Sequence, residues 1–189
     1  MNQNPSQKII FLDRDGVINN YPGDGNYVTS WENFIFIPGS LEAIRKLSNA
    51  DYLIFIISNQ AGVTKGIYPK KELERITKNM LNEITNEGGK IKEVLYCIHR
   101  EEEKCLCRKP NIGLIKQALE LLNEKVDLNK IFLIGDDIRD VHTAKNSGCK
   151  SILVLSGREN IDNKDSWIIQ PDYIFKDLLE AVNFILNQK

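Results

Sequence analysis

Apolar residues in this chain fall into short unbroken runs, separated by stretches that are apolar at every third or fourth position. The runs are "KIIFL" (Lys8–Leu12), "YLIFII" (Tyr52–Ile57), "EVLYC" (Glu93–Cys97), "KIFLI" (Lys130–Ile134) and "SILVL" (Ser151–Leu155). Continuous apolar runs of this length are the signature of strands covered on both faces. The intervening stretches keep helical spacing. Leu41, Ile44 and Leu47 follow Gly39-Ser40; Leu73, Ile76, Met80 and Ile84 follow Pro69; and Ile112, Ile115, Leu119 and Leu122 follow Pro110. Further helices are predicted over Asp140 to Asn146 and near Asp177–Leu186. Strands that alternate with helices make βαβ units and a mostly parallel sheet. The expected fold is α/β, a Rossmann-like three-layer sandwich without a large cap domain, forming one domain over residues 1–189.

In such sheets ligands bind beyond the carboxyl ends of the strands, and the polar residues gather there. The first run exits into "DRDG", the second into "SNQAG" and the fourth into "GDDIRD". In an extended chain Asp13 and Asp15 point the same way and Arg14 the other. Gly16 permits a tight turn and close backbone approach. Asp136, Asp137 and Asp140 add a second acidic tip. Ser58 and Asn59 can donate hydrogen bonds. Lys109 precedes Pro110, which keeps it out of the α region just ahead of a predicted helix N-terminus, a place that favours anions. A single Asp after a strand is usually a turn former or a cap, and Asp140 has that reading too. Two acidic tips together point instead to a metal and phosphate site. Carboxylate oxygens suit Mg²⁺, a neighbouring carboxylate can attack phosphorus, and Lys109 and Ser58 would neutralise the transferring group.

The net charge of −1 and the 42% apolar content give no global field for nucleic acid or anionic lipid. "YLIFII" is far too short to span a bilayer, and the polar start "MNQNPSQ" lacks the apolar core of a signal peptide. A cytoplasmic protein is expected, with reduced thiols. Three of the four cysteines and one of the two histidines nonetheless crowd into "CIHREEEKCLC". Cys97, His99, Cys105 and Cys107 form a Cys₃His set suited to a closed structural Zn²⁺ site, with free thiols or an oxidative disulfide as the alternative. Such a site would fix the base from which Lys109 projects. The three glutamates Glu101 to Glu103 read as a solvated face, His142 as a helical surface or structural residue, and Cys149 as a small buried one. No Gly-x4-Gly-Lys-Ser/Thr is present, and "PGDGNY" does not sit at a strand-to-helix turn, so a nucleotide loop is not expected. The long loop from Asn19 to about Phe34 is expected to flank the pocket.

"FLDRDG", Ser58 of "IISNQ", Lys109 of "CRKP" and "GDDIRD" together resemble, in order and position, the four motifs of the haloacid dehalogenase superfamily of phosphohydrolases. The resemblance implies Asp13 as nucleophile and Asp15 as general acid/base. It implies Mg²⁺ held by Asp13, the Asp15 backbone carbonyl and Asp136, and a phosphoryl group gripped by Ser58 and Lys109. The cysteine loop running into Arg-Lys-Pro is similar to the zinc loop of D,D-heptose 1,7-bisphosphate phosphatases and histidinol-phosphate phosphatases. "NYVTSWENFIFIPG" and "NQAGVTKGIY" resemble the heptose branch. Lys65 stands where that branch usually has Arg, and Asp137 where it commonly has Lys.

The expected protein is a Mg²⁺-dependent phosphatase, monomeric on resemblance, acting on a sugar bisphosphate at its 7-phosphate. Asn59, Lys65 and Arg108 join Ser58 and Lys109 as phosphate- or substrate-binding candidates, and neither nucleic acid nor membrane is an expected partner. Histidinol phosphate is the alternative substrate. A phospho-accepting receiver module and a zinc-dependent nucleic-acid binder are the readings from other classes.

Overall fold

All five apolar runs are strands, and a sixth joins them. A computed structural model describes residues 7–122 and 126–188; residues 1–6 of the polar start, residues 123–125 and Lys189 lie outside the described residues. The strands β1 (Lys8–Leu12), β2 (Tyr52–Asn59), β3 (Glu93–Cys97), β4 (Phe132–Gly135), β5 (Lys150–Val154) and β6 (Tyr173–Phe175) form one sheet in the order β3-β2-β1-β4-β5-β6. Every neighbouring pair is parallel. The chain builds outward from β1 to β3 and then returns to lay β4 on the other side of β1. That reversal opens a crevice at the carboxyl ends of β1 and β4. Leu12 is in register with Ile134, so the two strands end level with each other.

Alternation along each strand sends side chains to two cores. Ile10, Leu12, Ile54, Ile56 and Ile134 face one layer, made by α1 (Ser40–Asn49), α2 (Lys70–Asn86) and α5 (Leu178–Asn187). Ile9, Phe11, Phe55, Ile57 and Leu133 face the other, where α3 (Gly113–Glu120) and α4 (Ile138–Ser147) pack. Phe11 and Phe55 are 0% exposed, and burial of each such side chain contributes about 1.5–3 kcal/mol. The expected three-layer sandwich is therefore present.

Three local expectations are corrected. The α3 stripe is Leu114, Ile115 and Ala118; Ile112 is the N-cap residue, and Leu119 and Leu122 are only half-buried. Asp177 lies outside α5 and caps it, accepting from the Glu180 backbone at 3.0 Å. The edge strand β6 has no counterpart among the apolar runs. It is three residues long, too short to show a period, and is tethered by Asp172, which accepts from the Ser151 backbone and hydroxyl, each at 2.8 Å. No helix among the described residues is long and apolar enough to cross a membrane.

Candidate active site

The acidic tips of β1 and β4 meet at the crevice. The Asp13 backbone N–H donates to the Ile134 carbonyl at 2.9 Å, continuing the β1–β4 ladder one step past the strand end. Oxygens of Asp13, Asp136 and Asp140 all lie within 4.8 Å of one another, and all three residues are buried. An octahedral Mg²⁺ with bonds of ~2.1 Å places its oxygens about 3 Å apart in cis and about 4 Å in trans, so this donor set fits such an ion. Burial pushes the Asp136 carboxyl well above its usual range, and the charges of Asp13 and Asp140 push it further. Two glycines let Asp136 sit this deep. A Cβ on Gly16, which has φ +78°, would fall 2.1 Å from the Asp136 carboxylate, and one on Gly157 would fall 2.0 Å from it.

Lys109 enters the same space. Its ammonium is 2.8 Å from Asp13 Oδ2 and 2.6 Å from Asp140 Oδ1, with only 3% of the side chain exposed. These are close charge pairs, not well-aligned hydrogen bonds. Burial alone would lower the ammonium pKa, but Asp13 and Asp140 more than reverse this and raise it. Burial lifts the Asp140 carboxyl to about 7 against the pull of Lys109. Lys109 does not lie directly at a helix start, because α3 begins only at Gly113. Asp140 combines both readings, site residue and cap. Its carboxylate pairs with Lys109 and also completes the α4 capping box, in which Asp137 is the N-cap residue.

Asn59 is not a free donor. Its amide accepts from the Lys109 backbone N–H at 3.0 Å and donates to the Lys109 carbonyl at 3.2 Å. The end of β2 thus holds the backbone of Lys109 from both sides. Ser58 is buried, and its hydroxyl accepts from Gln60 Nε2 at 3.2 Å.

Asp15 departs from the extended-chain expectation. The chain turns at Gly16, and Arg14 curls back onto Asp15 instead of pointing away. Its Nη2 lies 2.9 and 3.0 Å from the two carboxylate oxygens. Asn19 and Gln60 each donate to the same carboxylate at 2.8 Å, and Tyr68 holds Gln60 by donating to its Oε1 at 2.7 Å. Arg14 is fully buried, with the rings of Phe34 and Tyr96 each 5.9 Å from its guanidinium. The Asp15 carboxylate is therefore outside the Asp13–Asp136–Asp140 group, and only its backbone carbonyl remains as a candidate metal ligand.

Above these groups opens a cavity of about 200 Å³, lined by Asp13, Asp15, Ser58, Lys65 and Arg108 among others. The loop after Asn19 forms one wall through Tyr21, Asn26 and Tyr27, as expected. Lys65 lies 5.7 Å from the Tyr27 ring centroid. The cavity lining also carries two cations that sequence reasoning missed, Arg139 and Arg158. Both pair with Asp137, Arg139 through Nε at 3.0 Å and Nη2 at 2.5 Å, Arg158 through Nη1 at 3.1 Å. Asp137 is depressed by these guanidiniums although burial opposes the shift. So the acidic residue at position 137 does not strip this lining of positive charge. The signal for Arg139 lay within "GDDIRD", two residues beyond Asp137; Arg158 had none in the sequence.

The cysteine loop also converges. Sulfur–sulfur distances among Cys97, Cys105 and Cys107 are 3.1 to 3.5 Å, and His99 Nδ1 lies 3.2 Å from Cys107 and 3.6 Å from Cys97. A tetrahedron with Zn–S bonds of ~2.3 Å has edges of about 3.7 Å, so the set fits that ion. Burial would raise the Cys105 thiol, but the Arg108 backbone and the neighbouring thiols bring it down to about 7. The loop is fastened to the segment after β2 and to the start of α3. The Gln60 N–H donates to the Cys97 carbonyl at 2.7 Å, Arg100 Nη2 donates to the Thr64 carbonyl at 2.6 Å, and the Gly113 N–H donates to the Leu106 carbonyl at 3.0 Å. Glu101 to Glu103 form an exposed 3-10 turn, His142 is half-buried on α4, and Cys149 is buried just before β5, as expected.

Comparison with known proteins gives this geometry a context. Residues 106–181 match the HAD-hydrolase-like family. The chain is 33% identical to the D-glycero-beta-D-manno-heptose-1,7-bisphosphate 7-phosphatase of Pseudomonas aeruginosa, across 96% of this chain and 99% of that protein. It is equally 33% identical to the enzyme of that name from Helicobacter pylori, across 94% and 98%. The crystal structure of D,D-heptose 1,7-bisphosphate phosphatase from Bordetella bronchiseptica, complexed with magnesium and phosphate, superposes with a TM-score of 0.87 at 30% identity, covering 96% of this chain and 99% of that one. By likeness over nearly its whole length, the chain belongs to the D-glycero-beta-D-manno-heptose-1,7-bisphosphate 7-phosphatase family of HAD-like hydrolases.

Proposed function

We propose that this protein removes the 7-phosphate of D-glycero-D-manno-heptose 1,7-bisphosphate through an aspartyl-phosphate on Asp13. The observation that carries this reading is the buried meeting of Asp13 and Asp136 with the Lys109 ammonium at the topological switch point. Asp13, Asp136 and the Asp15 carbonyl would hold Mg²⁺, which when bound neutralises phosphoryl charge and orients the phosphate for in-line attack. An Asp13 carboxylate oxygen forms the bond to phosphorus as the ester bond to the sugar oxygen breaks. Asp15, aimed by Arg14, Asn19 and Gln60, gives a proton to that leaving oxygen. It then takes one from the water that attacks phosphorus, and cleavage of the acyl phosphate restores the Asp13 carboxylate. Lys109 and Ser58 bind the phosphoryl oxygens, and Asn59 fixes the backbone that carries Lys109. Lys65 and Arg108 serve the rest of the substrate.

The same reading assigns Zn²⁺ to Cys97, His99, Cys105 and Cys107 as a structural ion. Four protein donors leave it no open position, and its place is to hold the loop that carries Arg108 and Lys109. The protein acts as one cytoplasmic, monomeric domain, where its thiols stay reduced. Phosphate release with Mg²⁺, measured side by side on heptose 1,7-bisphosphate and histidinol phosphate, tests the assignment. A kcat/KM for the heptose ester at least a hundredfold higher is expected. Preference for histidinol phosphate would overturn the substrate.

A further inference from the structure

Arg158 lies between the acidic centre and the loop after Asn19. Its backbone N–H donates to Asp136 Oδ2 at 2.8 Å, fixing the residue beside the acidic centre. Its guanidinium reaches in two directions. Nη1 donates to Asp137 at 3.1 Å, and Nη2 lies 3.3 Å from Asp24 Oδ1, on the loop after Asn19. The two partners differ in kind. The Asp137 side chain is 10% exposed and is already gripped by Arg139, whereas that of Asp24 is 71% exposed. Two guanidiniums thus share one buried carboxylate, and the second contact of Arg158 is to a solvated loop residue. An exposed pair of this type is worth little, about 0.2–1 kcal/mol. A phosphate offers stronger, bidentate acceptance to a guanidinium than a lone carboxylate oxygen at 3.3 Å.

We propose that Arg158 is a specificity-determining residue that binds the second, non-reacting anionic group of the substrate, with Asp24 occupying its guanidinium until that group displaces it. This rests on the phosphatase reading and deepens it. The phosphoryl group under attack lies with Asp13 and Lys109, and the distal anion bridges to Arg158 across the cavity. Asp24 then turns to solvent or keeps only Tyr21, whose hydroxyl also donates to it.

The test compares two esters under Mg²⁺, heptose 1,7-bisphosphate and p-nitrophenyl phosphate, which has no second anion. The readout is the ratio of their kcat/KM values. Arg158→Gln keeps the backbone N–H that Asp136 accepts, so the acidic centre retains its support. The ratio is expected to fall at least tenfold, chiefly through KM for the bisphosphate, and Arg158→Lys should recover part of it. Asp24→Asn should raise the ratio two- to fivefold by freeing the guanidinium. A ratio unchanged by Arg158→Gln, or lowered by Asp24→Asn, overturns the proposal while leaving the phosphatase reading intact. An unaltered enzyme that hydrolyses neither ester overturns both.

Discussion

Replacing Lys109 with methionine removes the one ammonium lodged among three buried carboxylates while keeping most of the side-chain volume. Its contacts at 2.8 and 2.6 Å are each worth about 6 kcal/mol of gross attraction at an effective dielectric of ~20. Taking the ammonium out of water costs several kcal/mol in return, and loss of one partner from a buried ion pair typically destabilises by about 3–5 kcal/mol. That is a large share of the ~5–15 kcal/mol that holds a domain folded. The sign of the pH dependence comes from Asp140 and Asp136. Their folded-state pKa values are raised above the ordinary carboxylate value of 3.8, Asp140 to about 7. The folded protein therefore binds more protons than the unfolded chain from about pH 4 to pH 7, and the stability tied to these groups falls as pH rises through that window. Without Lys109 the Asp140 carboxyl rises further, so the slope extends above pH 7. Urea unfolding at pH 5.5 and pH 8 should show a deficit of about 3–5 kcal/mol at pH 8 that shrinks on acidification. Added Mg²⁺ should restore more stability to the variant than to the parent at pH 8, since it replaces the missing cation. The buffer must be free of magnesium without a chelator, because a chelator would also strip the thiolate site. Catalysis should fall by about 10²–10³ in kcat. A deficit under about 1 kcal/mol at pH 8, or one that deepens on acidification, would refute the reasoning.

Two further outcomes are expected. Asp13→Asn, nearly isosteric, should lose phosphatase turnover by at least a thousandfold while the protein stays folded, because Lys109 keeps its pair with Asp140; measurable acyl-phosphate formation in that variant would remove Asp13 as nucleophile. Cys107→Ser should cut bound zinc, measured by elemental analysis, to well below one per chain and should raise the KM of the phosphate ester, because Arg108 and Lys109 come directly after it on the loop; full zinc occupancy would reject Cys107 as a ligand.

The strands and the acidic tips were legible for the same reason. A strand buried on both faces must be apolar throughout, so "KIIFL" and "KIFLI" stand out, and the first polar residues after them must lie at the sheet's carboxyl edge. The Cys₃His set was legible because reduced thiols have few other reasons to cluster at that spacing. β6 left no such trace, since three residues at an edge need only half their surface covered, and a side-chain tether from Asp172 supplies what a longer ladder would.

Direction of side chains was the harder problem. Period-two alternation placed Arg14 away from Asp15, but it applies only while the backbone stays extended. Here the chain leaves the strand at Asp13 and turns at Gly16, and a guanidinium is long enough to curl back onto the next carboxylate. The same logic explains Asn59. Sequence could show that an amide ends β2, but not that the backbone of Lys109, fifty positions on, would present both a donor and an acceptor to it. Arg139 and Arg158 were missed for a related reason. Position 137, taken alone, reads as a lost positive charge. Its meaning changes once the fold brings one guanidinium from the first turn of α4 and another from the segment after β5 onto the same carboxylate. One acidic side chain thereby organises two cations at the pocket wall, where a single lysine would supply one and orient none. Local charge at a site is thus a property of what each ionised group recruits in three dimensions, and the sign of the residue at one position does not determine it.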